Sequence, residues 1–247
     1  MPATSSTATS ARIRWAPKEQ LPGLVCRMVR NSDVVLDVGS GIEPQTLIWP
    51  KLHICVEVHD EYVRCLRERL AGSPRYLVIQ STWENALRMM PSKSVDTVVA
   101  LDFIEHLSKE HGWGFLAEAE RVARKQVVLF TPLGYFPQTY EDAAAEDWWG
   151  MHGGHWQTHR SGWVPADFSE DWEILACREY HTVDQYGPLA EPIGCMWAIR
   201  TFDDDPPESR GRLELRLRRQ VLVNRYLPSL CRSALRRIKR LLMTAGK

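Results

Sequence analysis

Between Val34 and Pro44 the chain reads VVLDVGSGIEP. A short apolar run carries an acid, Asp37, and gives way at once to two glycines, Gly39 and Gly41. In physical terms a buried strand ends and the backbone turns sharply where a side chain would be in the way. Glycine allows that turn and lets a ligand approach the main chain closely. A second apolar run, His53–Val58, carries another acid, Glu57. An acid at the tip of the second strand accepts hydrogen bonds from a ribose diol. The two tips together describe a pocket for a nucleoside with a charged tail.

Helix and strand signals alternate along the rest of the chain. Leu21–Arg30 reads as a helix and Val34–Asp37 as the first strand. Asp60–Ala71 reads as a helix with an acidic first turn and Gly72 as its stop. Tyr76–Gln80 is extended, and Ser94–Leu101 carries β-branched residues that suit a strand buried on both faces. Lys109–Arg124 is helical, Val127–Thr131 extended, and Trp172–Tyr180 with Cys195–Phe202 a closing antiparallel pair. Such alternation predicts a Rossmann-like α/β fold. Its sheet is doubly wound and mostly parallel, with helices on both faces and ligands at the carboxyl ends of the strands.

The nicotinamide and flavin fingerprint needs a third glycine, G-x-G-x-x-G, but Pro44 stands there, with no N–H and a fixed φ. The phosphate-binding G-x-x-x-x-G-K-[ST] is absent from the sequence. What remains is D-x-G-x-G with an acid after the second strand. Four features occur in order: LDVGSG at Leu36–Gly41, Glu57, VDTVVALDFIEHL at Val95–Leu107 and VVLFTPLG at Val127–Gly134. On these the chain resembles the class I S-adenosylmethionine-dependent methyltransferases, of the type that acts on small molecules or is encoded in glycan clusters. The resemblance covers Val34–Thr131 well and the rest less well. It implies a seven-stranded sheet whose last strand is antiparallel, and S-adenosyl-L-methionine as the cofactor.

The same resemblance assigns residues. Asp37 would help hold the methionine ammonium, and the backbone of Gly39, Ser40 and Gly41 would lie against the methionine part. Glu57, with Val58 beside it, would take the ribose hydroxyls. Ser81, Thr82 and Trp83 sit where the family contacts adenine; relatives often carry an acid there, and Glu84 is near enough to replace it. Trp83 either stacks on the base or packs in the core. Asp102, followed by Phe103, sits at the strand tip beside the expected methyl group. His106 is either a general base or a structural cap of its segment.

Tyr135–Phe168 is an insert of atypical composition, with Trp148, Trp149, Trp156, Trp163 and the histidines His152, His155 and His159. A segment this long without clear periodicity is usually a functional loop or a lid. Three imidazoles can bind zinc, but the stretch is glycine-rich and has neither a cysteine nor a helix to fix the spacing, so no metal is expected. A substrate pocket of tryptophan faces is better supported, with His155 or His159 deprotonating an acceptor hydroxyl. GGHWQTHRSGWVPADF also resembles a block of methyltransferases encoded near glycan-assembly genes.

The 247 residues suffice for one domain with a sizeable core, and no apolar run approaches the ~20 residues of a membrane span. The polar start MPATSSTATSAR reads as a disordered lead-in, residues 1–12, without the apolar core of a secretory signal. Six irregularly spaced cysteines read as reduced thiols of a cytoplasmic protein. The zero net charge hides a split: from Arg210 to Lys247 there are twelve basic residues and one acid, Glu214, leaving the rest of the chain acidic by eleven. Residues 206–247 therefore read as a basic amphipathic tail after a domain at 13–205. The tail suits an anionic membrane surface at its inner face, or the protein's own acidic body. Nucleic acid ranks third, because the tail has a single aromatic, Tyr226.

The expected function is methyl transfer from S-adenosylmethionine to a hydroxyl of a small molecule or of a sugar in a glycan. The alternatives are an RNA or protein methyltransferase and a non-catalytic S-adenosylmethionine-binding module. The N-P-P-Y type signature of base and glutamine N-methylation is absent from the sequence.

Overall fold

The computed structural model describes residues 11–142, 145–184 and 186–202. Eight strands form one sheet in the order β1-β7-β8-β6-β5-β2-β3-β4. They are β1 (Arg12–Trp15), β2 (Val34–Val38), β3 (Leu52–Glu57), β4 (Tyr76–Gln80), β5 (Val95–Leu101), β6 (Ala123–Pro132), β7 (Trp172–Val183) and β8 (Pro188–Thr201). The helices are α1 (Leu21–Met28), α2 (Asp60–Leu70), α3 (Trp83–Arg88), α4 (Lys109–Val122) and the short α5 (Gly154–Gln157). Strands β2 to β6 pair in parallel, while β8 runs antiparallel to both β6 and β7.

Two cores flank the sheet. Leu36 and Val38 of β2 point to one face, where Leu87 of α3 and Phe115, Ala119 and Val122 of α4 cover them. Val35 points to the other, with Leu21, Leu24 and Val25 of α1. Strand β5 is buried along almost its whole length, as its β-branched run requires of a strand covered on both faces. Cys55, Cys177 and Cys195 are buried reduced thiols on β3, β7 and β8.

The sheet has one strand more than expected. RIRW at Arg12–Trp15 pairs in parallel with Glu173–Ala176 of β7. All four of its side chains are exposed, so no buried alternation marked it in the sequence. Main-chain pairing, an Arg12–Glu173 ion pair and the Arg178 guanidinium over the Trp15 ring hold it. The strand begins at Arg12, inside the expected lead-in; residues 1–10 and 203–247, and with them the whole basic tail at 206–247, lie outside the described residues. Among the described residues no helix is long and apolar enough to cross a membrane.

At the opposite end of the sheet from the glycine turn, Asp96 ties strands together. Its Oδ2 accepts from the N–H of Asp33 at 2.7 Å and of Val34 at 3.1 Å, and Arg124 Nε donates to Oδ1 at 3.1 Å. Burial alone would raise this carboxyl, but the guanidinium and the two main-chain donors outweigh it and hold it below its ordinary value. Asp96→Ala should lower the unfolding free energy by about 1–3 kcal/mol, the loss for buried donors left without an acceptor. A carboxyl with a depressed folded pKa stabilises fully above the unfolded value, about 3.9, and loses its effect as pH falls through the folded one. Denaturant midpoints of wild type and variant should therefore differ at pH 7 and converge as pH falls below about 4.

Candidate active site

Strand β2 delivers the chain into its glycine turn at the carboxyl edge of the sheet. Gly39 and Gly41 have φ of 69° and 59°, a region costly for other residues. Space requires glycine as well. A Cβ at Gly39 would overlap the Phe103 ring, and one at Gly41 would meet the Trp149 ring at 3.0 Å. Glu57 clamps the turn from β3: Oε2 accepts from Gly41 N–H at 2.9 Å, and Oε1 from Val58 N–H at 2.8 Å and His59 N–H at 3.0 Å. Burial raises its carboxyl and these three donors pull the other way; the group still lines the cleft above the turn.

Asp37 departs from its expected place. It does not line the cleft but is 2% exposed beneath the turn. Its Oδ2 accepts from the N–H of Gln45 at 2.7 Å and lies 3.0 Å from His53 Nε2. The acid expected to hold a methionine ammonium instead fixes the loop after the glycines to β3.

The other expected cofactor residues, Gly39, Ser40, Gly41, Glu57, Val58, Ser81, Thr82, Trp83, Asp102 and Phe103, all line one cleft of about 960 Å³. Thr82 also caps α3, accepting from Asn85 N–H at 3.4 Å. Trp83 does both things foreseen for it: its ring packs edge-on against Phe115 and also borders the cleft, as does Glu84. Asp102 has φ 48° at the end of β5, a strained turn of the kind that aims a functional side chain. Its carboxyl reaches cleft solvent yet is ringed by protein, which raises it.

The three insert histidines do not converge. His152 pairs with Glu61 of α2 through Nδ1 at 3.2 Å, His155 is exposed at the cleft wall, and His159 is buried at its floor. The imidazole beside His159 is that of His106, with ring centroids 4.9 Å apart. Burial first, and then His159, pushes His106 down to about 3, and burial lowers His159 too, so both rings are neutral at pH 7. The insert reaches the floor because Arg160 and Ser161 donate main-chain N–H to the Glu105 carbonyl at 2.8 and 3.1 Å. Trp148, Trp149 and Trp156 border the cleft, half exposed. Trp163 does not: it is fully buried core over Gly112, its Nε1–H donating to Ser161 Oγ at 2.9 Å.

Residues 36–131 match the family model described as a methyltransferase domain. They form an S-adenosylmethionine-dependent methyltransferase domain. Solved structures of similar shape include an S-adenosylmethionine-dependent methyltransferase from Archaeoglobus fulgidus, 14% identical over 74% of this chain and 91% of that one, with a TM-score of 0.45. The YcgJ protein of Bacillus subtilis is 13% identical over 75% and 99%, with a TM-score of 0.48. Phosphoethanolamine N-methyltransferase 1 of Haemonchus contortus, solved with S-adenosylhomocysteine, is 12% identical over 87% and 49%, with a TM-score of 0.41. Comparison with curated proteins gives no match.

The cleft of this methyltransferase domain suits its cofactor. Gly39, Ser40 and Gly41 line the cleft with the main chain of the turn, and Glu57 lines the same space from β3. Carboxylates at Glu57 and Asp102 favour a ligand carrying an ammonium and a sulfonium. Sequence reasoning missed Glu105 and His181 as part of the site. Glu105 stood next to His106 and was legible as its partner. His181 lies at the end of β7 with a buried, unpartnered Nε2, and no motif marked it.

Proposed function

We propose that the domain methylates a hydroxyl oxygen of a small molecule or of a sugar in a glycan. The floor of the cleft carries this reading: two neutral imidazoles, His106 and His159, beside the carboxyl groups of Asp102 and Glu105. A hydroxyl must lose its proton to become a competent nucleophile, and a base whose pKa lies near the working pH is suited to accept it; on this floor burial raises Asp102 to about 7. Trp148, Trp149 and Trp156 at the cleft wall offer flat apolar faces of the kind that stack on sugar rings. Bound S-adenosylmethionine supplies a methyl carbon already activated by its sulfonium. The protein's part is to hold the acceptor oxygen in line with that carbon, take its proton and keep water away.

Incubation with labelled S-adenosylmethionine and an extract of the source cells should place the label in a methyl ether of a small molecule or glycan. Label in RNA or polypeptide would favour the alternative acceptors, and donor binding without any transfer would favour a binding module.

The basic tail is assigned to an anionic membrane surface on its charge alone, twelve basic residues against one acid from Arg210 to Lys247. The full chain should co-sediment with anionic vesicles and not with neutral ones, fading with salt at about 1 kcal/mol per basic residue near the surface. Truncation after Pro207 should abolish this and spare donor binding. Unfolding of the truncated chain would mean that the tail docks on its own body.

A further inference from the structure

Glu105 is a buried carboxylate without a counter-charge. It is 2% exposed; Oε2 accepts from Thr131 Oγ1 at 3.0 Å, while Oε1 is buried with no hydrogen-bond partner. Among the described residues no lysine or arginine forms an ion pair with it. Arg160 directs its guanidinium elsewhere, to the main-chain carbonyls of His106 at 2.8 Å, His155 at 2.7 Å and Thr158 at 3.2 Å. Burial, and then Asp102 beside it, raises this carboxyl well above its ordinary value; a carboxyl so placed is neutralised either by a proton or by a bound cation.

Two imidazoles stand beside this carboxylate. One ligand atom from each of Glu105, His106 and His159 lies within 4.8 Å of the other two. His106 turns Nδ1 to the carbonyl of Thr158 at 3.3 Å, and His159 turns Nδ1 to that of Phe136 at 2.6 Å. A ring whose Nδ1–H is held by a carbonyl presents Nε2 as a lone-pair donor, the outer-shell arrangement that metal-ligating histidines use. The main-chain bonds from Arg160 and Ser161 to the Glu105 carbonyl hold the two contributing segments in register.

We propose that Glu105, His106 and His159 bind one divalent transition-metal ion at the floor of the cleft, where its open positions take the acceptor oxygen. Two imidazoles and a carboxylate suit Mn²⁺, Fe²⁺, Co²⁺ or Zn²⁺ better than the oxygen-seeking Mg²⁺ and Ca²⁺. Three protein ligands leave coordination positions open, the layout of a catalytic site and not of a structural one. A cation there lowers the pKa of a bound hydroxyl. The hydroxyl proton leaves to cleft water, the oxygen bonds to the donor's methyl carbon, and the S–C bond breaks with its electron pair on sulfur. The second half of the proposal rests on the O-methylation reading; the metal site does not.

The test uses the full chain stripped with a chelator and titrated with Co²⁺. One equivalent should bind, with visible d–d bands that report imidazole ligation. His159→Ala and Glu105→Gln should each weaken Co²⁺ binding by about 10–100-fold or more. Affinity for S-adenosylhomocysteine should stay unchanged, which also shows that the variants are folded. Wild type that binds no stoichiometric Co²⁺ overturns the site, whether or not the variants fold. So does equal Co²⁺ affinity in folded variants. Transfer to a hydroxyl that survives exhaustive chelation overturns the cation's role and leaves the O-methylation reading standing. Stoichiometric metal in a protein that methylates only nitrogen overturns the O-methylation reading and the cation's role with it, and leaves the metal site standing.

Discussion

Glu57→Ala should weaken S-adenosylmethionine binding by about 1.5–3 kcal/mol, the contribution of a hydrogen bond to a charged group, or roughly 10- to 150-fold in Kd. Two effects point the same way. The carboxylate lost is the one that faces the cleft from β3, where a ribose diol would lie. The same carboxylate holds the N–H groups of Gly41, Val58 and His59, so its removal also frees the turn that presents the main chain to the ligand. Asp37→Ala should behave differently. Its oxygen serves Gln45 and His53 below the turn, not the cleft, so the change should appear first as lost stability. Calorimetric titration of both variants, with denaturant unfolding alongside, separates these outcomes. An Asp37→Ala protein of wild-type stability that no longer binds the donor would return the acid to the ammonium. A Glu57→Ala protein with wild-type donor affinity would remove it from the site.

The contrast between these two acids shows where sequence reasoning reached and where it stopped. Both stand near strand tips, and the pattern alone gives them equal claim on a ligand. What separates them is a second layer of contacts. Gln45 and His53 are distant in sequence from Asp37, and nothing in the spacing announces that they close over it. The same holds for the insert. Its tryptophans and histidines were visible as a group, but their sorting depends on tertiary docking. Gly112 makes room for Trp163 in the core, and Glu61 draws His152 away to α2. The parallel sheet was legible because β2, β3, β5 and β6 are buried runs bounded by turn signals, and the half-exposed β4 still carries an apolar run. The edge strand Arg12–Trp15 was not, since only main-chain pairing to β7 and exposed contacts define it. The partnership of Glu105 and His106 with His159 crosses some fifty residues, carried by main-chain hydrogen bonds that have no sequence signature.

His159→Ala should lower turnover by about 10²–10⁴-fold while leaving donor affinity unchanged, the range for loss of a group that manages the acceptor proton. The argument is positional. His159 is buried at the floor, its Nδ1 is occupied by the Phe136 carbonyl, and its ring lies against His106. Burial lowers its pKa and so keeps the ring neutral at pH 7, with a lone pair available to a proton in transit or to a cation. His155 has none of these constraints: it is exposed at the cleft wall, on the four-residue α5. His155→Ala should therefore act mainly on acceptor KM, if at all, with kcat nearly intact. Steady-state kinetics on both variants, once the acceptor is in hand, distinguish the two positions. A large kcat loss confined to His155→Ala would place the reacting oxygen at that wall and remove the floor from the chemistry. A loss in His159→Ala that tracks equally weakened donor binding would make His159 a structural support of the cleft, since a group acting on the acceptor has no reason to alter affinity for the donor.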